Sequence, residues 1–245
     1  MIIEKTKIFF INKLIVWFPD DNIIFDKEYQ IIFLRQHNLI INKKYYIFNQ
    51  RFKTSFINLN NDLDLIFKKF SQTTKYDIRQ AEKNNININF YSNKDFKELD
   101  TFNKHINFFY SKRNISNYFN IKKINNKDFI LVKSSFENKW HSYGLFLYDN
   151  NRFRLLILIN NYENIPNKIL GYSSKYLLWN SIKYSKKLNL NIFDLGGLND
   201  KNHKSTKGIN KFKLSFGGYD VFEYNSLIVY NVFIRFFYKL YYLFK

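Results

Sequence analysis

The spacing of apolar residues in the second half of the chain constrains the fold most strongly, because it alternates between the periods of strands and helices. Apolar residues recur every two positions or in short unbroken runs where strands are expected, and every three or four positions where helices are expected. From residue 86 onward this pattern predicts the order β-α-β-β-β-α-β-α-β-α. An antiparallel meander followed by strand–helix–strand crossovers predicts an α+β fold with a mixed sheet.

Two predicted strands carry the features on which the functional predictions depend. Residues 153–159 form a nearly continuous apolar run, which predicts a central strand buried on both faces. Residues 192–195 form a shorter strand that ends in Gly196 and Gly197. Each strand is followed by a predicted helix, over residues 171–188 and 208–216 respectively.

The chain is expected to divide into three parts. Residues 1–60 read as short strands separated by turns and predict a partial, β-rich N-terminal subdomain. Residues 61–224 are expected to form the main domain, and residues 225–245 an aromatic, basic C-terminal helix. The apolar runs near the N-terminus are split by Asn12 and Lys13, and no uninterrupted run reaches about 18 residues. We therefore expect a cytoplasmic protein.

The net charge of +19 has two interpretations. Lys outnumbers Arg 32 to 7 and Asn occurs 35 times, a composition typical of A/T-rich codons, so compositional drift explains part of the charge. The functional interpretation is a surface that attracts the phosphates of a nucleotide, a tRNA or an anionic lipid leaflet. The charge alone favours none of these three.

Several classes of site are excluded by residues and motifs that the sequence lacks. It contains no cysteine, which excludes disulfides, thiolate nucleophiles and cysteine-ligated metals. It has no phosphate-binding P-loop motif and no H-E-x-x-H motif, and its four histidines lack the spacing of metal ligands. We therefore expect no metal cofactor.

The predicted start of a helix after the central strand is a candidate phosphate site. Gly171, Tyr172, Ser173 and Ser174 lie there, and the free N–H groups and positive dipole end of a helix start suit a pyrophosphate. The alternative is an ordinary N-cap at Ser173 or Ser174.

The end of the shorter strand is a second candidate site. Asp194 precedes Gly196 and Gly197, where a ligand could approach the backbone closely, unless Asp194 merely caps the turn. Farther on, Lys213 falls beside the apolar stripe that contains Phe212, so it is either partly desolvated and directed at an anion or simply solvated.

Two helices carry basic residues in helical register. Lys75, Arg79 and Lys83 recur at intervals of four, which predicts either a strip that binds phosphates or an ordinary solvated face, and Tyr76 beside them could stack on a base or belong to the core. The tail, residues 227–245, is almost entirely apolar and aromatic. It is expected either to pack on the protein or to lie in the membrane interface.

Four segments resemble, in order, those of FemAB-like transferases and the related BioF2-like acetyltransferases. They are TTKYDIRQAEK at residues 73–83, LLWNSIK at 177–183, FDLGG at 193–197 and GINKFKLSFGG at 208–218. The resemblance covers residues 55–224. It implies a GNAT-like fold, with a mixed, splayed central sheet flanked by helices and an acyl donor lying between two parted parallel strands.

The resemblance also implies an activity, the transfer of an acyl group from acyl-CoA to an amine on a cell-envelope sugar or lipid-linked precursor. The expected partners are a nucleotide-sugar or lipid-linked glycan precursor, and a tRNA if the donor is aminoacylated. The catalytic residues would be Lys213 and Asp194. Donor binding would fall to Gly171, Tyr172, Ser173, Ser174, Phe212, Gly196 and Gly197, and acceptor binding to Lys75, Tyr76, Arg79 and His141.

Two alternatives stay open on the sequence. One is aminoacyl-tRNA-dependent transfer to a peptidoglycan-type precursor, although residues 1–60 are too short for a complete first half of a two-part FemAB protein. The other is a non-enzymatic basic module that binds a membrane surface or nucleic acid. In the family pattern an arginine stands at the position of Lys75. Lysine keeps the positive charge but cannot form the two parallel hydrogen bonds that a guanidinium makes with a phosphate or carboxylate. The transferase interpretation predicts that the strands at 153–159 and 192–195 part to leave a slot.

Overall fold

The structure is a computed structural model that describes residues 1–8, 11–19, 28–39, 45–114, 129–137, 139–163, 165–198 and 204–243. The chain forms two compact units. The first comprises Met1–Thr54 and Val221–Lys245, and the second comprises Ser55–Asp220.

The order of elements from residue 86 onward is the predicted β-α-β-β-β-α-β-α-β-α. The strands are β1 (Ile2–Ile8), β2 (Ile11–Trp17), β3 (Ile31–His37), β4 (Tyr46–Asn58), β5 (Asn87–Tyr91), β6 (Phe129–Phe136), β7 (Lys139–Tyr148), β8 (Arg152–Asn160), β9 (Ile192–Leu198) and β10 (Tyr219–Val229). The helices are α1 (Leu63–Lys68), α2 (Gln72–Lys83), α3 (Phe96–Lys112), α4 (Asn167–Lys187), α5 (Lys204–Leu214) and α6 (Val232–Leu243).

The second unit is built on a mixed sheet in which β5 to β8 form an antiparallel meander and β9 pairs with β8 in parallel. The predicted α+β class with a mixed sheet flanked by helices is confirmed. Helix α4 covers this sheet because Leu177, Leu178 and Ile182 recur on one face and are fully buried. They join one core cluster with the stacked rings of Phe146 and Phe153.

Two predicted helix starts are wrong, those of α4 and α5. Helix α5 begins at Lys204, four residues before the predicted start at Gly208. Helix α4 begins at Asn167, directly after Pro166, rather than at Gly171. Proline favours the first positions of a helix, which places the start one turn earlier than glycine suggested.

The predicted C-terminal helix is wrong over its first residues. Leu227, Ile228 and Val229 are fully buried in β10 and pair with β3, because branched apolar side chains fit a covered sheet position. The helix of this segment, α6, begins at Val232, and residues 244 and 245 lie outside the described part of the chain.

The first unit places β3 between β2, which runs parallel to it, and β10, which runs antiparallel. Helix α6 contributes Ile234 and Tyr238 to a cluster with Ile31, Leu227 and Val229. Within the described ranges, no helix combines the length and the apolar character needed to cross a membrane.

Candidate active site

Strands β8 and β9 part after a short paired stretch. Their parallel register runs from Arg152 opposite Ile192 to Arg154 opposite Asp194 and ends there, although β8 continues to Asn160 and β9 to Leu198. The main-chain edges of β8 and β9 therefore separate beyond Arg154 and leave a slot between them. The predicted parting of these two strands is confirmed.

Gly196 sits where the strands separate. Its φ is +80°, and a Cβ built on it would lie 2.8 Å from the carbonyl oxygen of Leu155 on the opposite strand. Only glycine tolerates this conformation and this close approach without strain. The backbone is further fixed by the Gly196 N–H, which donates to Oδ1 of Asp194 at 2.8 Å. The glycine in this segment therefore shapes the mouth of the slot.

Asp194 is fully buried and anchors two arginines of β8. The guanidinium of Arg154 lies 2.5 Å from Oδ2, and that of Arg152 lies 3.7 Å from the same atom. With its other oxygen bound to the Gly196 N–H, the carboxylate holds the turn together and neutralises buried charge. The predicted catalytic role of Asp194 is not supported by this geometry, because its side chain does not line the slot. The alternative, a turn cap, agrees with it.

The slot opens into a cavity of about 480 Å³ in the second unit. Its walls come from β8, β9, α5 and the end of α3, and most of their contact surface is aliphatic or aromatic. Three cations line it, namely Arg113, Arg154 and Lys213. A cavity of this size, largely apolar with a few converging polar groups, is the usual form of a small-molecule site.

Lys213 lies on the face of α5 that borders the slot. Its Nζ donates a hydrogen bond to the carbonyl oxygen of Gly197 at 2.7 Å. Burial, together with the positive charge of Arg154, lowers the pKa of Lys213 from 10.5 to about 8, and Asp194 partly opposes this shift. A cation held in such surroundings interacts strongly with an anion that enters, because little water screens it.

Five of the predicted site residues line the slot together, namely Ser174, Gly196, Gly197, Phe212 and Lys213. Ser174 is buried in α4, and its hydroxyl contacts Oδ1 of Asn160 at 2.9 Å and the hydroxyl of Ser142 at 3.1 Å. It therefore fixes the end of β8. The predicted free N–H groups are not present at Ser174, because α4 begins seven residues earlier.

Three other predicted donor-binding residues lie elsewhere. Gly171 is inside α4, and a Cβ built on it would meet nothing within 4 Å. Tyr172 packs against α2 in a cluster with Ala81 and Ile86. The hydroxyl of Ser173 is 2.8 Å from Nδ1 of His141. Tyr172 and Ser173 serve the packing of α4, and all three residues lie beyond its first turn.

The predicted acceptor-binding residues do not line the slot. Lys75 donates to the carbonyl oxygen of Lys68, Arg79 is exposed, and Tyr76 packs edge-on to Tyr172 with half of its surface exposed. His141 is buried under α4, and burial lowers its pKa, so the ring is neutral at pH 7. The structure gives these four residues positions on or beneath α2 and α4 instead.

The sequence-based predictions missed four polar residues that line the slot, Arg113, Arg154, Asn160 and Tyr162. Arg154 could have been found from the sequence, because two of the seven arginines in this lysine-rich chain lie in one apolar strand. Arg113 directly follows α3, and nothing in the neighbouring sequence marks it as a site residue. In the part of the chain that the structure describes, no cluster of His, Asp and Glu side chains could hold a metal ion.

Searches of family models and of curated proteins give no match. Solved structures do resemble the chain. FemX superposes with a TM-score of 0.61 at 11% identity, over 91% of this chain and 82% of FemX. L-PGS from Bacillus licheniformis gives 0.54 at 11% identity, over 96% and 83% of the two chains. The C-terminal domain assigned to a lysylphosphatidylglycerol synthetase of Agrobacterium fabrum gives 0.55 at 9% identity, over 93% and 81%.

These likenesses extend over most of each chain, and at such low identity they concern the fold. The chain therefore shares the fold of FemX and of these two other structures, and the FemAB-like resemblance is confirmed at the level of the fold.

Proposed function

We propose that the protein is an acyltransferase that moves an acyl group to an amine within the slot between β8 and β9. The observation that carries the proposal is the parting of these strands at Arg154 and Asp194, beside the half-buried Lys213. The apolar walls suit the acyl chain, and the cations suit the charge that develops on the carbonyl oxygen during transfer. The finer proposal is an acyl-CoA donor and an acceptor amine on a cell-envelope sugar or lipid-linked precursor.

The proposed reaction is a direct displacement. The neutral amine attacks the thioester carbonyl carbon, a C–N bond forms, and the carbonyl oxygen becomes an oxyanion. When this tetrahedral species collapses, the C–S bond breaks and the thiolate leaves. The thiolate takes the proton that the amine loses, directly or through water, so no net proton is consumed. Lys213, as the ammonium ion, stabilises the oxyanion, and Arg154 adds positive potential.

A transfer assay tests this proposal. Purified protein is incubated with radiolabelled acetyl-CoA, longer acyl-CoAs or charged tRNA and an extract of envelope precursors, and label in the acceptor is measured. We expect transfer from at least one thioester donor and a loss of about 100-fold or more in Lys213→Met, the scale of removing one oxyanion donor. Full activity in Lys213→Met would contradict the proposed role, and the absence of transfer from every donor would contradict the proposed function.

An aminoacyl ester is the second candidate donor. Two of the matching structures are named as lysylphosphatidylglycerol synthetases or L-PGS, and the first name describes the attachment of lysine to a lipid. The affinity for an aminoacyl-tRNA donor would fall steeply as the salt concentration rises, because binding releases counterions from the tRNA phosphates. In the same assay, transfer from charged tRNA that ribonuclease and 0.3 M salt abolish would support this candidate over acyl-CoA.

We also propose that the protein works at the cytoplasmic membrane surface, through α6. One face of the helix is exposed and aromatic, with Phe233, Phe236, Phe237 and Tyr241. Each of the three phenylalanines has at least 59% of its surface accessible. Ile234 and Tyr238 pack inward. An exposed aromatic stripe on a chain with a net charge of +19 matches the anionic headgroups and acyl boundary of a lipid leaflet. A lipid-linked acceptor would be reached at such a surface.

A further inference from the structure

A second cavity lies beside the slot, and the proposed reaction does not use it. It measures about 490 Å³. One face of α3, the start of β7 and the loop after β8 form its walls, and His105, Phe108, Trp140 and Tyr162 supply aromatic rings. On α3 the lining residues recur at intervals of three and four, so a single helix face is directed at the cavity.

The aromatic wall is held in place by its neighbours. The rings of His105 and Trp140 have centroids 4.3 Å apart, and Trp140 lies 5.1 Å from the buried ring of Tyr143. Nδ2 of Asn161 donates to the carbonyl oxygen of Trp140 at 3.0 Å. Burial lowers the pKa of His105, so at pH 7 the ring is neutral and acts as an aromatic surface. The wall is therefore preorganised for a flat ring.

The charges around this cavity are mostly positive. Lys112, Arg113 and Lys139 line it, against one carboxylate, that of Glu163. The guanidinium of Arg113 lies 4.3 Å from the ring of Phe109 and 6.0 Å from that of Tyr162. A ligand that combines a flat ring with negative charge fits these surroundings, since the rings stack on it and the cations bind its anionic part.

The second cavity adjoins the slot. Phe109, Arg113, Asn160 and Tyr162 line both. An elongated ligand that occupied both cavities would extend from the aromatic wall, past Arg113, to Lys213. The ligand would have its ring at one end, its anionic groups in the middle and its reactive group in the slot.

We propose that this aromatic cavity binds the base and phosphates of a nucleotide that forms one end of a substrate. The inference rests on the proposed function, because it assigns the nucleotide end to a molecule whose other end reacts in the slot. The base stacks on the wall of His105 and Trp140 and against Tyr162. The phosphates contact Arg113 and Lys112. The nucleotide belongs either to a thioester donor such as CoA or to a nucleotide-linked acceptor.

The test is direct binding, measured by titration calorimetry of ADP, UDP, CoA and inorganic pyrophosphate into the full-length protein. We expect at least one nucleotide to bind, with an affinity at least about tenfold above that of pyrophosphate, because base stacking adds to phosphate contacts. Preference for ADP and CoA would assign the site to the donor, and preference for UDP to the acceptor; either supports the proposal. Pyrophosphate binding as tightly as every nucleotide, or no nucleotide binding, would overturn it.

Matched variants locate the binding. Tyr162→Ala and Arg113→Ala should each weaken the nucleotide about tenfold, since both side chains are exposed at the cavity and their removal leaves the core intact. Phe96→Ala and Lys104→Ala remove an exposed ring and an exposed charge from α3 at positions that do not line the cavity, and should change affinity less than about twofold. Equal weakening in the control pair, or none in the cavity pair, would place the nucleotide elsewhere.

Failure of this inference can be distinguished from failure of the proposed function. Binding is measured without turnover, and the transfer assay needs no knowledge of where the nucleotide lies. A protein that transfers acyl groups but binds no nucleotide in this cavity overturns only the inference. A protein that binds nucleotide through Tyr162 and Arg113 but transfers nothing overturns only the proposed reaction.

Discussion

Lys213 is a largely buried, positively charged residue at the border of the slot. Its Nζ is tied to the carbonyl oxygen of Gly197, and its α5 face borders the slot. Burial and the charge of Arg154 hold its pKa near 8, so the ammonium form is disfavoured relative to water. The proposed reaction gives this destabilised ammonium group a role, the stabilisation of the oxyanion.

The pH dependence of transfer follows from this pKa. Below pH 8 Lys213 is charged and can stabilise the oxyanion, and above pH 8 it becomes neutral. We expect the transfer rate at saturating substrate to fall as the pH rises through about 8, about tenfold for each further pH unit. Lys213→Arg, which stays charged, should remove this fall while retaining part of the activity. A wild-type rate that stays constant to pH 10 would contradict the assignment.

The same shift predicts a stability effect with a defined sign. Between pH 8 and 10.5 the unfolded chain binds a proton at Lys213 that the folded chain has released, so this group makes stability rise with pH in that window. In Lys213→Met the rise should shrink by roughly 2 kcal/mol. Urea unfolding at pH 7 and pH 10 measures the difference, and parallel profiles for the two proteins would refute it.

Two glycines should respond oppositely to the same substitution. Gly196→Ala meets the Leu155 carbonyl oxygen and a strained φ, so we expect a loss of roughly 1–3 kcal/mol and a distorted slot. Gly171→Ala lies in a helix with open space around it and should gain roughly 0.5–1 kcal/mol. Urea unfolding of the two variants compares them. A stable Gly196→Ala would show that the turn relaxes easily.

At the level of elements, the order was predictable and the boundaries were not. The change of apolar period from two to about four marks each strand and helix, and this signal is spread over many residues. A helix start depends on one or two residues: the sequence pattern predicts a start at Gly171, whereas α4 begins directly after Pro166. Gly171, Tyr172 and Ser173 lie within α4 and away from the slot because the helix starts earlier than predicted.

The position of the slot was predictable because the pair Gly196 and Gly197 and the family pattern both indicate it. The arginines that line it were not predictable. Arg154 stands in a strand that reads as continuous apolar sequence, and its burial depends on Asp194, forty residues later. Arg113 and Tyr162 reach the same cavity from segments that are distant in the sequence. Pairings of this kind arise only from tertiary structure.

The exposed aromatic residues of α6 predict that the protein binds lipid vesicles. We expect the protein to bind vesicles that contain phosphatidylglycerol, and Phe233→Ser with Phe237→Ser to weaken this binding about tenfold or more, because exposed rings that would enter the interface are lost. The control is Phe96→Ser with Tyr219→Ser, two exposed aromatic residues outside α6. Co-sedimentation measures both pairs. Equal binding by all proteins would leave only a charge effect and contradict the assignment to α6.

At the level of the whole molecule, the account depends on the slot in the second unit being a binding site for the acyl donor. The matching solved structures share the fold over most of their length, and the fold does not fix the ligand. A purely structural or membrane-binding role remains the rival, and it requires no ligand in the slot. Two helical glycines separate these accounts. Gly208 on α5 lines the slot, Gly171 does not, and both have open space around the α-carbon.

The most direct measurement is titration calorimetry of acetyl-CoA into the wild type, Gly208→Leu and Gly171→Leu. Each substitution replaces a helical glycine by a good helix former, so both variants should remain folded. We predict that the wild type and Gly171→Leu bind acetyl-CoA with the same affinity and that Gly208→Leu binds at least about tenfold more weakly. Binding to Gly208→Leu as tight as to the wild type, or no binding to the wild type, would contradict the claim that the slot receives the donor.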